Sequence, residues 1–495
     1  MTHKKIPTTT PEPTAARPAG RADHAGRPIE KFLRTLTSAL VLFRWAGDLF
    51  VTVLMQPWTR TLPLEGQEFK DWVSGRLYAA KLRGMTDRQW EAWLAPLRAE
   101  ARHGGLVYPV YLRVAPREGG GLWINLGTDQ YVEVTATGWH VRDTTPVRFL
   151  RPGTMLPLPV PVRGGSIAAL RPFVNTTEHG FHLAVAFVLA CFNLEGSYPL
   201  LELQGGQGTG KSTMTEHLRR LIDPSSNTRR GVAVKEEQVA LAARPHHLLT
   251  MDNVSYVSPE MSDVLCRVST GGTFEKRKLY TDDGLVVMNL KRPCILNGIG
   301  TLVHRSDLLD RTWSLEVQRM PADKRLPERV LAERVEAALP GIFGAVCDGL
   351  VTAVRDVDHV TLKESGRLAD AEQWVTAAEP GLGLRPGTLT RAIHLSREDA
   401  IRRALEEYPA FWADMQRLAR QQWEGSMADL QRETDMEHKT PQQVGQLLSR
   451  LGPVMERAGV RVEEQKQGHA WTKRYWVKTV TGMVGTIGME EDDVA

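Results

Sequence analysis

Cysteine is scarce in this 495-residue chain: there are four, Cys191, Cys266, Cys294 and Cys347. None lies within a few residues of another, which excludes the paired spacing of a zinc knuckle or ribbon. Each sits in an apolar or mixed stretch, as expected of buried, reduced thiols in a cytoplasmic protein. Charge of one sign is lacking as well. Lys and Arg number 62 against 58 Asp and Glu, a net charge of +4. A nucleic-acid partner therefore has to be argued from local basic clusters and not from the global balance. The N-terminus has no apolar core of a secretory signal. The most apolar early stretch, Ser38 to Gln56, carries Arg44 and Asp48, and each charge costs about 2.5–3.5 kcal/mol at a bilayer centre. A buried hairpin or helix–strand pair is expected there, in a soluble chain. Solenoid-period repeats are missing, and so is a clear Asp-x-Asp cluster, which argues against primer synthesis by this chain.

What is present divides the chain. Residues 1–30 are rich in Thr, Pro, Arg and Ala without hydrophobic period, and predict a disordered tail. Residues 31–150 mix helical spacing, over Phe69 to Leu82 and Asp87 to Ala101, with strand-like alternation from Tyr108 to Val114 and short strands at Trp123 to Leu126, Tyr131 to Val134 and Trp139 to Val141. This predicts a small α/β module. A Pro-rich connector over 151–164 follows, with Leu156-Pro157-Leu158-Pro159-Val160-Pro161, and marks an expected domain boundary. Over 165–360 apolar runs alternate with helical patterns, the signature of a parallel sheet flanked by helices. Residues 361–420 read as helical, 421–480 as a separate module, and 481–495 as an acidic tail.

Chemistry concentrates after the strand Tyr198 to Gln204. Gly205-Gly206-Gln207-Gly208-Thr209-Gly210-Lys211-Ser212, followed by Thr213, fits the phosphate-loop pattern G-x-x-x-x-G-K-[ST]. Glycines let successive N–H groups face phosphates, Lys211 is expected on the β- and γ-phosphates, and Ser212 on magnesium. The following helix, with Met214, Leu218, Leu221 and Ile222 on one face, adds its positive N-terminal end. ATP with Mg2+ is the expected ligand. A second strand, His247 to Asp252, ends in a carboxylate suited to hold the metal through water. Asn253 stands where a second acid is usual; it cannot act as a base but could orient water, with Glu236 and Glu237 as weak substitutes. A third strand, Cys294 to Leu296, ends in Asn297, suited to the γ-phosphate and the attacking water. Beyond it Arg311, with Arg305 as runner-up, suits an arginine finger at a subunit edge.

That order of phosphate loop, acid-ended strand, basic hairpin, Asn-ended strand and arginine resembles the superfamily 3 helicases and the primase-helicase ATPases of phages, plasmids and large DNA viruses, within the AAA+ class. The likeness covers roughly residues 165–330. It also extends to bacterial and phage primase- or helicase-like ATPases through Trp123-Ile124-Asn125-Leu126-Gly127. The resemblance implies a ring-forming ATPase with ATP between subunits. It also implies a hairpin after Leu265 to Tyr280 that grips DNA through Lys276, Arg277 and Lys278, with Phe274 and Tyr280 able to stack on bases. Asn253 departs from the pattern and puts the hydrolytic rate in question.

In the last module Trp423 to Arg432 reads as a short helix. A second helix starts at Thr440-Pro441 and breaks or kinks at Gly452-Pro453 before Val454 to Ala458. Strands Val460 to Gln465 and Trp471 to Lys478 follow. Helices and a hairpin predict a winged-helix-like domain, with Lys466, Trp471, Lys473, Arg474, Tyr475, Trp476 and Lys478 as a DNA-binding wing. The function expected is an ATP-dependent DNA helicase or translocase of phage or mobile-element replication, with single-stranded or forked DNA as partner and a separate primase or replication protein beside it. Two alternatives stand: a nucleotide-dependent initiator or loader that does not unwind, and a defence-associated switch ATPase.

Overall fold

The structure is a computed structural model describing residues 26–55, 58–227, 235–277, 285–321, 323, 325–466 and 473–480. The chain divides into two compact units, the first running to Val107 apart from the turn Trp45–Gly47. Its elements are α1 (Gly26–Ser38), β1 (Leu40–Trp45), β2 (Asp48–Met55), β3 (Trp58–Pro63), α2 (Gln67–Ala79) and α3 (Asp87–His103). The stretch expected as a hairpin or helix–strand pair forms β1 and β2 of a sheet ordered β1-β2-β3. The expected tail ends earlier than residue 30, because Leu33 and Leu36 of α1 are buried with Phe69, Leu77 and Leu94; residues 1–25 lie outside the described residues. Thr86 and Gln89 form a capping box that starts α3.

The second unit opens with β4 (Val110–Tyr111), β5 (Val114–Pro116), β6 (Leu122–Asn125), β7 (Tyr131–Thr135), β8 (Gly138–Arg142) and β9 (Arg148–Phe149). The single strand expected from Tyr108 to Val114 is thus two. Strands β5-β6-β7-β8 form an antiparallel meander. The unit split falls at Val107 and not at the Pro-rich connector, and the reason is a buried ion pair. Arg113, fully buried, donates from Nε to Asp223 Oδ1 at 2.7 Å. It also donates to the carbonyls of Leu156 and Pro224. The connector itself is tied down by Leu158 N–H on the Leu126 carbonyl at 2.8 Å. The Trp-x-Asn-Leu-Gly stretch has its role here. Asn125 Oδ1 accepts from Gly127 N–H at 2.9 Å. Gly127 has φ +78°, and a Cβ there would meet Arg113 Nη1 at 2.8 Å and the Leu156 carbonyl at 3.0 Å.

Next come α4 (Glu178–Ala190), β10 (Leu200–Gln204), α5 (Lys211–Ile222), α6 (Glu236–Ala243), β11 (Leu249–Val254), α7 (Pro259–Thr270), β12 (Gly272–Arg277), β13 (Leu285–Leu290), β14 (Cys294–Gly298), α8 (Ser306–Leu309), β15 (Thr312–Glu316) and α9 (Glu328–Asp356). The expected parallel sheet is present, ordered β11-β14-β10-β15. Helix α4 is apolar all round because it is buried all round, from Leu183 to Ala190. Helix α9 is long and apolar enough to cross a membrane by length and composition, yet Val335, Leu339, Phe343, Val346 and Leu350 of it lie in the core with α4. The four cysteines are buried free thiols.

The remaining elements are α10 (Ala369–Ala378), α11 (Thr388–Glu406), α12 (Pro409–Arg420), β16 (Glu424–Ser426), α13 (Met427–Glu433), α14 (Pro441–Arg457), β17 (Val460–Lys466) and β18 (Lys473–Thr479). The stretch expected as one helix from Trp423 begins instead as β16, which pairs with β18 in a sheet ordered β16-β18-β17. The helix starts only where Ser426 and Asp429 form a capping box. Of the break or kink expected at Gly452-Pro453, a break does not occur. Helix α14 runs through it, since burial of Val454 and Met455 in the core outweighs the hydrogen bond that proline removes.

Candidate functional site

The glycine loop joins β10 to α5 at the carboxyl end of the parallel sheet, where ligands of such sheets gather. Gly205, Gly208 and Gly210 have φ of +151°, +73° and +91°. At Gly205 the requirement is double, because a Cβ would meet the Val317 carbonyl at 2.7 Å and Thr209 Oγ1 at 2.9 Å. Thr209 is the loop's buried residue, its hydroxyl donating to the Gly206 carbonyl at 3.0 Å. Gly206, Gln207 and Gly208 are exposed. Lys211 Nζ donates to the carbonyls of Gly205 and Gly206 at 2.7 and 2.8 Å, which holds the ammonium within the arc of the loop. Burial lowers its pKa, with Asp252 opposing that shift.

Ser212 and Asp252, expected together on sequence grounds, are joined directly: Ser212 Oγ donates to Asp252 Oδ1 at 2.9 Å. A bulge brings this about. Met251 pairs with Leu296 and Val254 with Gly298, so Asp252 and Asn253 together face Asn297. Such bulges bend a strand and re-aim its side chains. Asn253 sits at φ +57°, a left-handed conformation that Asn tolerates better than most residues. Its backbone N–H donates to Asn297 Oδ1 at 2.9 Å. Asn297 Nδ2 in turn donates to Thr215 Oγ1 at 3.1 Å, and Thr215 donates to the Lys211 carbonyl at 3.0 Å. Asn297, 2% exposed, thus locks β14, the bulge of β11 and α5 to one another.

A cavity of 190 Å³ adjoins these groups, lined by Ser212, Thr213, Asp252, Asn297 and also Glu216. At about 30 Å³ per water it has room for a hydrated cation and water, not for a whole nucleotide. Asn253 does not line it and contributes its backbone. Glu216 was missed on sequence grounds. The available signal was its spacing, one helical turn beyond Ser212 on the same face of α5. Among the described residues its carboxylate has no ion-pair partner. The substitutes named above are elsewhere: Glu236 is paired with Arg267 at 2.8 Å, and neither it nor Glu237 lines the cavity.

Several expected residues are not presented as their roles need. Arg311 is 6% exposed. Its Nη1 donates to the Asp307 carbonyl at 2.7 Å and carboxylate at 2.9 Å. A finger has to reach outward, and Arg311 is packed inward. Arg305 is exposed and paired with Asp263 at 3.0 Å. The hairpin after α7 exists as β12 and β13, with Lys276 paired in register to Val286 and Arg277 to Leu285. Lys278 and Tyr280 lie outside the described residues. Phe274 is 2% exposed, with the Arg267 guanidinium 5.0 Å from its ring centre, so it is a core residue and not a stacking platform. In the C-terminal hairpin Arg474 is paired with Glu424 at 2.6 Å and Lys478 with Glu463 at 2.8 Å. Tyr475 is in the core. Lys473 lies in β18; its side chain, like that of Lys466, and all of Trp471 lie outside the described residues.

Residues 167–394 match the family profile of the actinomycete integrative conjugative element replication protein. The match takes in the glycine loop, Asp252 and Asn297 and stops before α12, and it supports a role in the replication of a mobile element. Among solved structures the chain is similar to an A-form apo structure of the NrS-1 C-terminal region, at 9% identity and TM-score 0.38, covering 90% of this chain and 98% of that one. An apo structure of NrS-1 residues 305–718 is similar at 11% identity and TM-score 0.38, over 90% and 97%. Likeness at such scores does not establish a shared fold. No curated protein matches the chain.

Proposed function

We propose that this chain is an ATP-binding, DNA-acting ATPase of mobile-element replication, of the AAA+ type, with the nucleotide at Gly205–Ser212. The observation that carries the reading is the Ser212–Asp252 hydrogen bond at the head of a glycine loop whose backbone is left-handed at three glycines. The position of β14 between β10 and β11 supports it, since this order brings Asn297 between the loop helix and the acid-ended strand. Ser212 and Asp252 would hold magnesium, which neutralises phosphate charge when bound. Lys211 supplies a cation to the phosphates. Asn297 orients water from a fixed position, and Glu216 takes its proton, the task that Asn253 cannot perform. The sheet β16-β18-β17 with α12, α13 and α14 supports a winged-helix reading of the C-terminal module. A ring with ATP at the subunit boundary is the form the sequence resemblance implies. Burial removes Arg311 from the finger role in it.

The test is ATP hydrolysis with and without single-stranded DNA, followed by strand displacement on a forked duplex. Stimulated hydrolysis with displacement supports a helicase. Stimulation without displacement supports the second reading, a nucleotide-dependent loader or initiator. That reading is favoured by the bulge, in which the usual second acid is replaced by an Asn chosen for its backbone conformation. Absence of any ATP turnover or binding would sink both.

A further inference from the structure

The cavity beside the glycine loop is not the only opening formed by the ends of these strands. A cleft of 840 Å³ lies between two loops and helix α14. One loop continues β11 and carries Tyr256; the other continues β14 and carries Arg305. The facing wall is Lys439 at the head of α14 with Gln446 and Arg450 on it, and Tyr408 closes one side.

The charged side chains that line it are basic, although Arg305 is paired with Asp263 at 3.0 Å. Arg305, Lys439 and Arg450 line it, and no Asp or Glu is among its lining residues. Arg450 donates from Nη2 to the Tyr408 hydroxyl at 2.6 Å and lies 3.7 Å from Glu407, while its buried Nε has no hydrogen-bond partner among the described residues. Among the described residues the Lys439 ammonium and the Gln446 amide have no partner either. Tyr256 is 59% exposed, an aromatic face open at the mouth of a cationic cleft. Cations for phosphates, amides for base edges and a free ring for stacking are what single-strand binders combine. An acidic peptide would use the cations and leave the ring and amides idle. The volume falls within the range of ordinary ligand pockets, about 300–1,000 Å³, which suits a few nucleotides of one strand and excludes a duplex.

We propose that this cleft binds single-stranded DNA, with phosphates against Arg305, Lys439 and Arg450 and a base against Tyr256. The proposal rests on the reading of the chain as a DNA-acting ATPase and adds the place and form of the DNA. It also supplies a connection, because Tyr256 follows Asp252 in one loop and Arg305 follows Asn297 in the other. A strand in the cleft therefore touches the two segments that hold the nucleotide-site residues.

The full chain tests this by fluorescence anisotropy with a labelled oligothymidylate over a salt series, beside calorimetry with Mg-ATP. Tyr256→Ala is expected to weaken oligonucleotide binding about fivefold or more, the size of one lost base–aromatic stack. Lys439→Ala is expected to lower the salt slope by about 0.7, one phosphate contact on a single strand. Both leave ATP affinity and thermal melting unchanged. If the wild type binds the oligonucleotide and both variants bind it equally well with the same slope, the cleft assignment fails while the DNA reading stands. If the wild type does not bind it, both fail together. If the variants lose ATP affinity and keep the oligonucleotide, the cleft is a nucleotide site and the proposal is overturned.

Discussion

At the scale of single residues the site depends on Asn297. Its side chain accepts from the bulge at Asn253 and donates to Thr215, so it fixes the geometry of Asp252 as well as facing the cavity. Asn297→Ala is expected to lower kcat for ATP by about a hundredfold to a thousandfold, the range for one lost preorganised donor, with KM changed far less. Asn253→Ala is expected to keep kcat within a few-fold and to cost about 1–2 kcal/mol of stability, because alanine resists the left-handed conformation. Steady-state kinetics and urea unfolding on the same preparations separate the two; equal kinetic losses would show that the Asn253 side chain acts directly. Glu216→Gln is expected to reduce kcat by about a hundredfold with ATP affinity retained, and unchanged turnover would remove it from the mechanism. The loop was legible from sequence because its spacing is local, and Asp252 and Asn297 because each stands at the end of an apolar strand that follows it. Glu216 and the bulge were not. The bulge depends on register between β11 and β14, which pairing across the sheet decides and local pattern does not record; Glu216 has the spacing of one helical turn from Ser212, which singles it out only once the cavity beside it is seen.

At the scale of elements the contacts are between segments far apart in sequence. Arg113 of the loop before β5 and Asp223 at the end of α5 form a pair with side chains 0% and 2% exposed. Asp223 also accepts from the N–H groups of His247 and Leu248, just before β11. Arg113→Ala leaves that carboxylate buried without its cation and is expected to cost about 3–5 kcal/mol. Chemical denaturation checks this, and a loss below about 1 kcal/mol would mean that water takes the place of the guanidinium. His247 beside it is fully buried and pushed down to about 4 from its ordinary 6.5, chiefly by burial. Its folded pKa is below the unfolded one, so the unfolded chain takes up the proton first as pH falls. Stability is therefore full above about pH 6.5 and declines through the window down to about 4, by up to about 3 kcal/mol. His182, His217 and His304 are lowered by burial too and act in the same direction. Denaturation midpoints against pH are expected to show the decline, and His247→Gln, which keeps an N–H for the Cys191 carbonyl, is expected to flatten it. The packing of the Pro-rich connector was not legible for the same reason that these pairs were not. Prolines predict an extended strand, but whether it separates domains is decided by what packs on both sides of it.

At the scale of the whole molecule the second unit contains everything argued to act: glycine loop, bulge, cleft and C-terminal helices. Its central part matches the replication protein of an integrative conjugative element, and the C-terminal part beyond residue 394 lies outside that match. The alternation of apolar runs and helical periods made the parallel sheet legible. The C-terminal strands were legible in part, since β16 is only three residues long, Glu424–Ser426, and exists by pairing with β18. On this account DNA in the cleft and ATP at the loop are coupled through the segments after β11 and β14. Single-stranded DNA is expected to raise ATP turnover in the wild type and to have little effect in Tyr256→Ala, and equal stimulation in both would break the coupling. The most direct test of the central claim is calorimetric binding of ATP in magnesium to the wild type and to Lys211→Ala, with melting curves to confirm equal folding. Saturable one-site binding that Lys211→Ala abolishes is the expected result; binding that survives in the variant would place the nucleotide elsewhere and contradict the account.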